Sequence, residues 1–188
     1  MRKVIAALNV TLDGFCDHTA SFYADDELHN HYATLLQEAG MLLYGRTTYE
    51  LMQFWQNILN NPVEEAALND FALAIDRVEK LVFSRTLTST GWQSARLAKK
   101  PLLEAVAELK KQPGAPLFVG SRSLINQLLA ARLIDELQLC MHPLTLGKGL
   151  PLFEPYVNEI HFKHKGTKTL QSGAVVLIYT PKEQTINR

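Results

Sequence analysis

The sequence predicts an α/β fold whose central sheet is mainly parallel and closes with an antiparallel hairpin. Two patterns carry this. Short apolar runs alternate with segments of helical period from residue 4 to about residue 131, the order of a parallel sheet threaded through helical crossovers. After residue 135 strand-like runs follow one another with no helix between them, which places antiparallel strands at the end of the sheet. No repeat, low-complexity run or linker interrupts the chain. Residues 1–182 are therefore expected to form one domain, with 183–188 as a tail.

The elements follow in order. Val4–Asn9 reads as a buried strand, and Asp13-Gly14 as a turn signal just beyond it. Asp25 or Asp26 caps a helix whose apolar face is Leu28, Tyr32, Leu35, Leu36 and Ala39, and Gly40 ends it. Met41–Tyr44 is a second strand, followed by a helix to about Trp55. Asn61-Pro62 reads as a cap with proline in the first turn, opening a segment with Val63, Ala66, Ala67 and Phe71. Lys80–Ser84 is a third strand. Pro101 starts a helix through Leu109, which Pro113-Gly114 stops. Pro116–Val119 is a fourth strand, and Ser121 or Ser123 caps a helix to about Ala131. Leu137, Leu139 and Met141 alternate with polar residues, as in a half-buried strand. Ile160–Lys165 and Ala174–Thr180 complete the set, with Ser172-Gly173 suggesting a hairpin between them.

Composition narrows the function classes. Among 188 residues, Lys+Arg and Asp+Glu number 19 each, so no net field draws the chain to nucleic acid or to an anionic membrane. No apolar run approaches the length of a membrane span, and the N-terminal run lacks the form of an export signal. Cys16 and Cys140 form no CxxC pair and read as free thiols. Cytoplasm is the expected location. No metal is expected, because His29 and His31 are two apart on a helix and His161 and His164 three apart on a strand, and each pair faces two ways. Gly120-Ser121-Arg122-Ser123 lacks the nucleophile-elbow spacing of a serine hydrolase.

Three strand ends share a chemistry: LLYG-RTT at 42–48, LVFS-R at 81–85 and LFVG-SRS at 117–123. In a parallel sheet, ligands bind outside the carboxyl ends of the strands. A helix starting there shows unpaired N–H groups and about half a positive charge, a natural seat for phosphate. Gly45 and Gly120 let a ligand approach the backbone. Thr47, Thr48, Ser121 and Ser123 offer hydroxyls, and Arg46, Arg85 and Arg122 offer forked donors. Taken one at a time, each feature is also an ordinary turn or cap. Together they suit a ligand with several phosphates, such as NADP.

The ordered stretches VIAALNVTLDGF, LLYGRTTYE, LVFSR, FVGSRSLINQLL and IDELQLCMHPLTLGKGLPLF resemble the dihydrofolate reductase superfamily. Within it, the chain is most similar to the branch containing the C-terminal reductase domain of riboflavin-biosynthesis deaminase–reductases (RibD). The resemblance implies a three-layer αβα reductase fold with NADPH lying across the strand ends. It implies that Gly45, Arg46 and Thr47 hold the adenosine phosphates, and that Ser84 and Arg85 lie beside the adenine and 2′-phosphate. Gly120, Ser121, Arg122, Ser123, Leu124 and Ile125 would surround the pyrophosphate and nicotinamide, with Ala7 and Gly14 beside the nicotinamide ring.

The substrate side departs from the family. Phe15 and Val119 stand where riboflavin reductases carry a lysine and a glutamate, so reduction of the riboflavin-pathway pyrimidine is expected to be slow. His29 falls near the position where dihydrofolate reductases place a carboxylate. Asn9, Phe15 and His29 are the candidate substrate residues; Asp13 and Asp26 are the candidate proton donors, with a bound water as the competitor. The expected function is NADPH-dependent reduction of a small heterocycle, a pteridine or a phosphoribosylamino-uracil-like pyrimidine. Genuine dihydrofolate reduction and a non-catalytic nucleotide-binding module are the alternatives. Finally, Ala174–Thr180 is apolar on both faces yet ends the chain, where the family fold places an edge or near-edge hairpin, and 143–153 adds exposed apolar residues. Together with the resemblance, this predicts a homodimer.

Overall fold

Alternation of apolar strands and amphipathic helices builds one eight-stranded sheet covered by helices on both faces. The computed structural model describes residues 1–20, 22 and 25–182; the expected tail at 183–188 lies outside them. In chain order the elements are β1 (Val4–Thr11), α1 (Asp26–Glu38), β2 (Met41–Gly45), α2 (Arg46–Asn60), α3 (Ala66–Arg77), β3 (Lys80–Phe83), β4 (Ala95–Leu97), α4 (Leu102–Lys111), β5 (Leu117–Val119), α5 (Arg122–Ala130), β6 (Glu136–His142), β7 (Phe162–Thr169) and β8 (Val175–Pro181).

The strands lie in the order β4-β3-β2-β5-β1-β6-β8-β7. The first six are parallel where they pair, and β8 is antiparallel to both β6 and β7. Parallel strands under helices are buried on both faces. Accordingly β2 is buried at every residue, and β5 likewise. Val4, Ala6, Leu43, Leu117 and Val119 point to the face covered by α4 and α5. The alternate residues Ala7, Leu42, Tyr44 and Phe118 point to the face covered by α1, α2 and α3. A third cluster joins Leu28 of α1 to Cys140, Ala174 and Val176 under the antiparallel end. Asp25 caps α1 by accepting from Leu28 N–H at 2.8 Å. Of the two aspartates offered by the sequence, the first is the cap.

Two expectations change and one is made more specific. The strand β4 was not foreseen; it is three residues long and pairs only with β3. Asn61-Pro62 closes α2 rather than opening the next helix. Asn61 is the C-cap of α2, while α3 starts at Ala66 after Glu65. The near-edge hairpin is found as expected, and within it β8 lies one strand in from the edge. The Ser172-Gly173 turn is present, with Gly173 at φ +81°, but the hairpin folds so that β8 slots between β6 and β7. An interior strand is paired on both sides, which is why AVVLIYT can be apolar throughout. The true edge is β7, FKHKGTKT, whose lysines, glycine and bulge disfavour edge-to-edge pairing.

Lys80 is the one wholly buried lysine among the described residues. Its Nζ donates to the carbonyls of Ile75 at 2.6 Å and Val78 at 2.8 Å and to Ser94 Oγ at 2.8 Å, and it lies 4.2 Å from the Trp92 ring centre. It thereby satisfies carbonyls left open at the C-terminus of α3.

Candidate functional site

The parallel strands place all their carboxyl ends along one rim, and the three strand ends singled out in the sequence meet there. β2 runs into α2 at Gly45, β3 ends before Ser84 and Arg85, and β5 leads through Gly120 and Ser121 into α5. Between them lies a cavity of about 770 Å³, lined among others by Gly45, Arg46, Thr47, Thr48, Ser84, Arg85, Lys100, Ser123, Leu124 and Gln127.

Three helices begin at this cavity with no side-chain cap: α2, α4 (after Pro101) and α5. Gly45 has no side chain to offer α2, and Ser121 makes no cap bond to α5. Instead Ser121 Oγ accepts the Gly45 N–H at 2.8 Å, in a fully buried bond that ties the starts of α2 and α5 together. Of the five described helices only α1 has a side-chain cap, Asp25; α3, away from the cavity, is uncapped as well. The N–H groups at the starts of α2 and α5 are left for another acceptor, and their dipoles add a positive field.

Gly45 and Gly120 both lack a positive φ. A Cβ at Gly45 would meet Ser123 Oγ at 3.5 Å and Ser121 Oγ at 3.7 Å; at Gly120 it would meet Phe118 at 3.6 Å. These are ordinary contacts, so the fold itself does not demand glycine at either place. A ligand lying against the backbone would. Gly14 differs, since its φ of +84° is required by the turn after β1.

The cations are not equivalent. Arg85 is exposed and has no ion-pair partner among the described residues. Arg46 leans on Glu50 at 3.5 Å, both half-exposed. Lys100, unforeseen in the sequence, lines the cavity between Glu104 at 2.9 Å and Glu108 at 2.5 Å. Ser84 Oγ accepts from Thr86 and Leu87 N–H, forming the turn that presents Arg85.

Other expected cofactor residues are turned elsewhere. Arg122 donates through Nε to the Pro151 carbonyl and through Nη1 to Glu154 at 2.5 Å, so it anchors the 150s loop instead of facing the cavity. Ile125 is wholly buried in the α4–α5 cluster, and Ala7 is buried under the opposite helices. Leu124 does line the cavity.

Neither expected proton donor is placed as an acid. Asp13 accepts from Thr11 Oγ1 at 2.6 Å and from the N–H groups of Leu146 and Gly147, clasping the turn after β1 to the 143–151 loop. The Thr11 hydroxyl, with help from those backbone donors, holds its carboxyl below the usual range. Asp26 is exposed in the first turn of α1. Of the substrate candidates, Phe15 forms a β-bridge with Pro151 in the same clasp. His29 packs its ring against Trp55 and Phe71, at 6.0 and 5.8 Å, between α1, α2 and α3. It is Tyr32, one turn later, that reaches the sheet. Its hydroxyl lies 3.0 Å from Asn9 Oδ1, and His142 Nε2 lies 3.2 Å from the same oxygen. Burial holds the Tyr32 phenol protonated and the His142 ring neutral. Tyr32 is visible in the sequence only as part of an apolar stripe. His142 could have been found by extending the alternation Leu137, Leu139, Met141, which puts Gln138, Cys140 and His142 on the other face.

The strand order, the layers and the position of the cavity define a dihydrofolate-reductase-like α/β domain. Within that class the chain belongs to the family of the RibD C-terminal domain, whose sequence profile matches residues 2–176. It is 31% identical over 183 residues to the uncharacterised protein YyaP of Bacillus subtilis strain 168, covering 95% of this chain and 94% of YyaP. It is 25% identical to the uncharacterised protein YwjB of the same strain, covering 95% and 97%. Among solved structures, a protein of Shewanella sp. PV-4 provisionally assigned to riboflavin biosynthesis superposes with a TM-score of 0.73 at 20% identity, covering 96% of this chain and 99% of that one. A pyrimidine reductase-like protein of Corynebacterium diphtheriae gives 0.66 at 12% identity, covering 97% and 93%. RibD of Acinetobacter baumannii gives 0.67 at 13%, with 97% of this chain matching 59% of that longer one. At these identities the structures bear on fold alone. None of the helices among the described residues is long and apolar enough to cross a membrane.

Proposed function

We propose that the chain is an NADPH-dependent reductase of a small heterocyclic substrate, a pteridine or a ribosylaminopyrimidine. The observation that carries the reading is the convergence of three uncapped helix starts, α2, α4 and α5, on one cavity beside Arg46 and Arg85. A dinucleotide brings phosphates that suit such helix starts. The N–H groups of Arg46 and Thr47 and those at the start of α5 would hold the pyrophosphate. Arg85, with Ser84 and Arg46, would take the 2′-phosphate, with Lys100 as a further cation. NADPH supplies the hydride when bound; the chain's own residues bind and orient it. With Asp13 committed to its clasp and Asp26 exposed, the proton comes from water. α1 turns a tyrosine rather than a carboxylate toward the sheet, which argues against genuine dihydrofolate reduction.

Calorimetric titration of NADPH and NADH tests the reading. NADPH is expected to bind more tightly. A charge-assisted hydrogen bond is worth about 1.5–3 kcal/mol, so Arg85→Ala should weaken NADPH roughly ten- to hundredfold and leave NADH nearly unchanged. Equal affinities of the parent protein for the two nucleotides would overturn it. NADPH binding without turnover on a panel of pteridines and aminopyrimidines would make the chain a nucleotide-binding module instead.

A further inference from the structure

Asn9 sits near the carboxyl end of β1, beside Cys140 of β6 and on the rim that carries the cavity. Its Oδ1 is shared by Tyr32 Oη at 3.0 Å and His142 Nε2 at 3.2 Å. His142 is wholly buried, with the ring of Phe22 4.7 Å away, and its Nδ1 has no partner among the described residues. These neighbours decide which way the amide faces. With the oxygen inward, the Tyr32 hydroxyl donates to it, and His142 donates from Nε2 and leaves only a lone pair unpaired on Nδ1. With the NH2 group inward, the Tyr32 proton has no acceptor among the described residues. His142 must then accept at Nε2 and carry its proton on Nδ1, burying an unpaired N–H. Orphaned N–H groups are rarer and costlier than an acceptor left with a free lone pair. Both neighbours therefore select the same orientation, oxygen inward. Asn9 is half-buried, and its Nδ2 has no hydrogen-bond partner among the described residues.

We infer that Tyr32 and His142 are positioning residues that lock the Asn9 amide with its NH2 group facing the substrate. The site therefore selects a heterocycle presenting a hydrogen-bond acceptor there, a ring carbonyl or an unprotonated ring nitrogen. This rests on the reductase reading of the rim. A locked pair of donors costs no reorganisation when substrate arrives, and an analogue offering N–H at that atom meets two donors and is refused. The sequence points only to Asn9; its direction comes from two residues distant in the chain.

The test uses the full chain labelled with 15N, saturated with NADP+, and two probes that carry ring carbonyls, 5-aminouracil and dihydrofolate. Long-range 1H–15N spectra report the His142 tautomer directly. The expected result is a proton on Nε2 and a bare Nδ1, with the two Asn9 side-chain protons shifting when a probe is added. Asn9→Asp keeps the shape but replaces the donors with acceptors, and should weaken the probe about tenfold or more with NADP+ affinity unchanged. Tyr32→Phe should broaden the Asn9 NH2 signals and weaken the probe a few-fold, again without touching NADP+. A proton on Nδ1, sharp Asn9 signals in Tyr32→Phe, or Asn9 protons that neither probe moves while NADP+ is bound would overturn the inference and leave the reductase reading standing. Loss of nucleotide binding with Asn9 still responding would do the reverse.

Discussion

Burial of Lys80 has a measurable consequence. Desolvation pushes its ammonium down to about 8, against the pull of Asp76, while an unfolded lysine titrates near about 10.4. Between those two values the unfolded chain keeps a proton that the folded chain has released. The unfolded state binds more protons there, so stability rises with pH across the window. Below pH 8 the folded protein carries the charge at its full burial cost. The urea midpoint is expected to climb from pH 8 to pH 10, and Lys80→Met should remove that climb. Equal slopes in the two proteins would refute it. Asp13 makes the contrasting case. Already ionised in its clasp, it has no proton to give near neutral pH. Asp13→Asn is therefore expected to keep the shape of the kcat/KM pH profile and to loosen the 143–151 loop, seen as faster amide exchange at Leu146 and Gly147. Disappearance of an acid limb in the variant would restore Asp13 as the donor.

Among the elements, α5 does two jobs. Its start faces the cavity, and its second turn holds the 150s loop. Asn126, wholly buried, donates to the Leu152 carbonyl at 2.8 Å and accepts the Glu154 N–H at 2.8 Å, alongside the Arg122–Glu154 ion pair. Asn126→Leu keeps the volume but orphans both backbone groups. A loss of roughly 2 kcal/mol is expected, well beyond the ±0.5 kcal/mol of a surface change. Denaturant titration checks it, and a loss within the surface range would show that the loop simply rehydrates. Most elements were legible because their period was clear: the stripe Leu28–Tyr32–Leu35 for α1, the unbroken apolar run of β2. β4 was illegible because three residues carry no period, and Ala95–Leu97 becomes a strand only through β3. Asn61-Pro62 misled because proline after a helix and proline at a helix start look alike locally. In the site, Gly45, Arg46 and Arg85 were legible as strand-end chemistry. Arg122, Ile125 and His29 were not, since the direction of each side chain is set by a neighbour far away in sequence.

At the scale of the whole molecule, one apolar area of the sheet lies outside the packed clusters of the described residues. Met141, Val175 and Leu177 share a face of β6 and β8, are half-buried, and join none of the three packed clusters. The opposite face, with Cys140 and Val176, is covered by Leu28 of α1. Leu150, Phe153 and Tyr156 add exposed apolar surface in the loop that precedes β7. We propose that this face makes the chain a homodimer. Edge-to-edge pairing is disfavoured, since β8 is interior and the lysines of β7 repel a second edge. Pairing of two identical faces about a two-fold axis buries the patch twice in one contact. Light scattering at micromolar concentration is expected to give twice the 21.1 kDa chain mass. Leu177→Lys, which puts a charge at the centre of the face, should return the chain mass while leaving NADPH affinity intact, because the cofactor rim lies at the carboxyl ends of other strands. A parent protein that scatters as a single chain would end the proposal, as would a Leu177→Lys variant that stays dimeric.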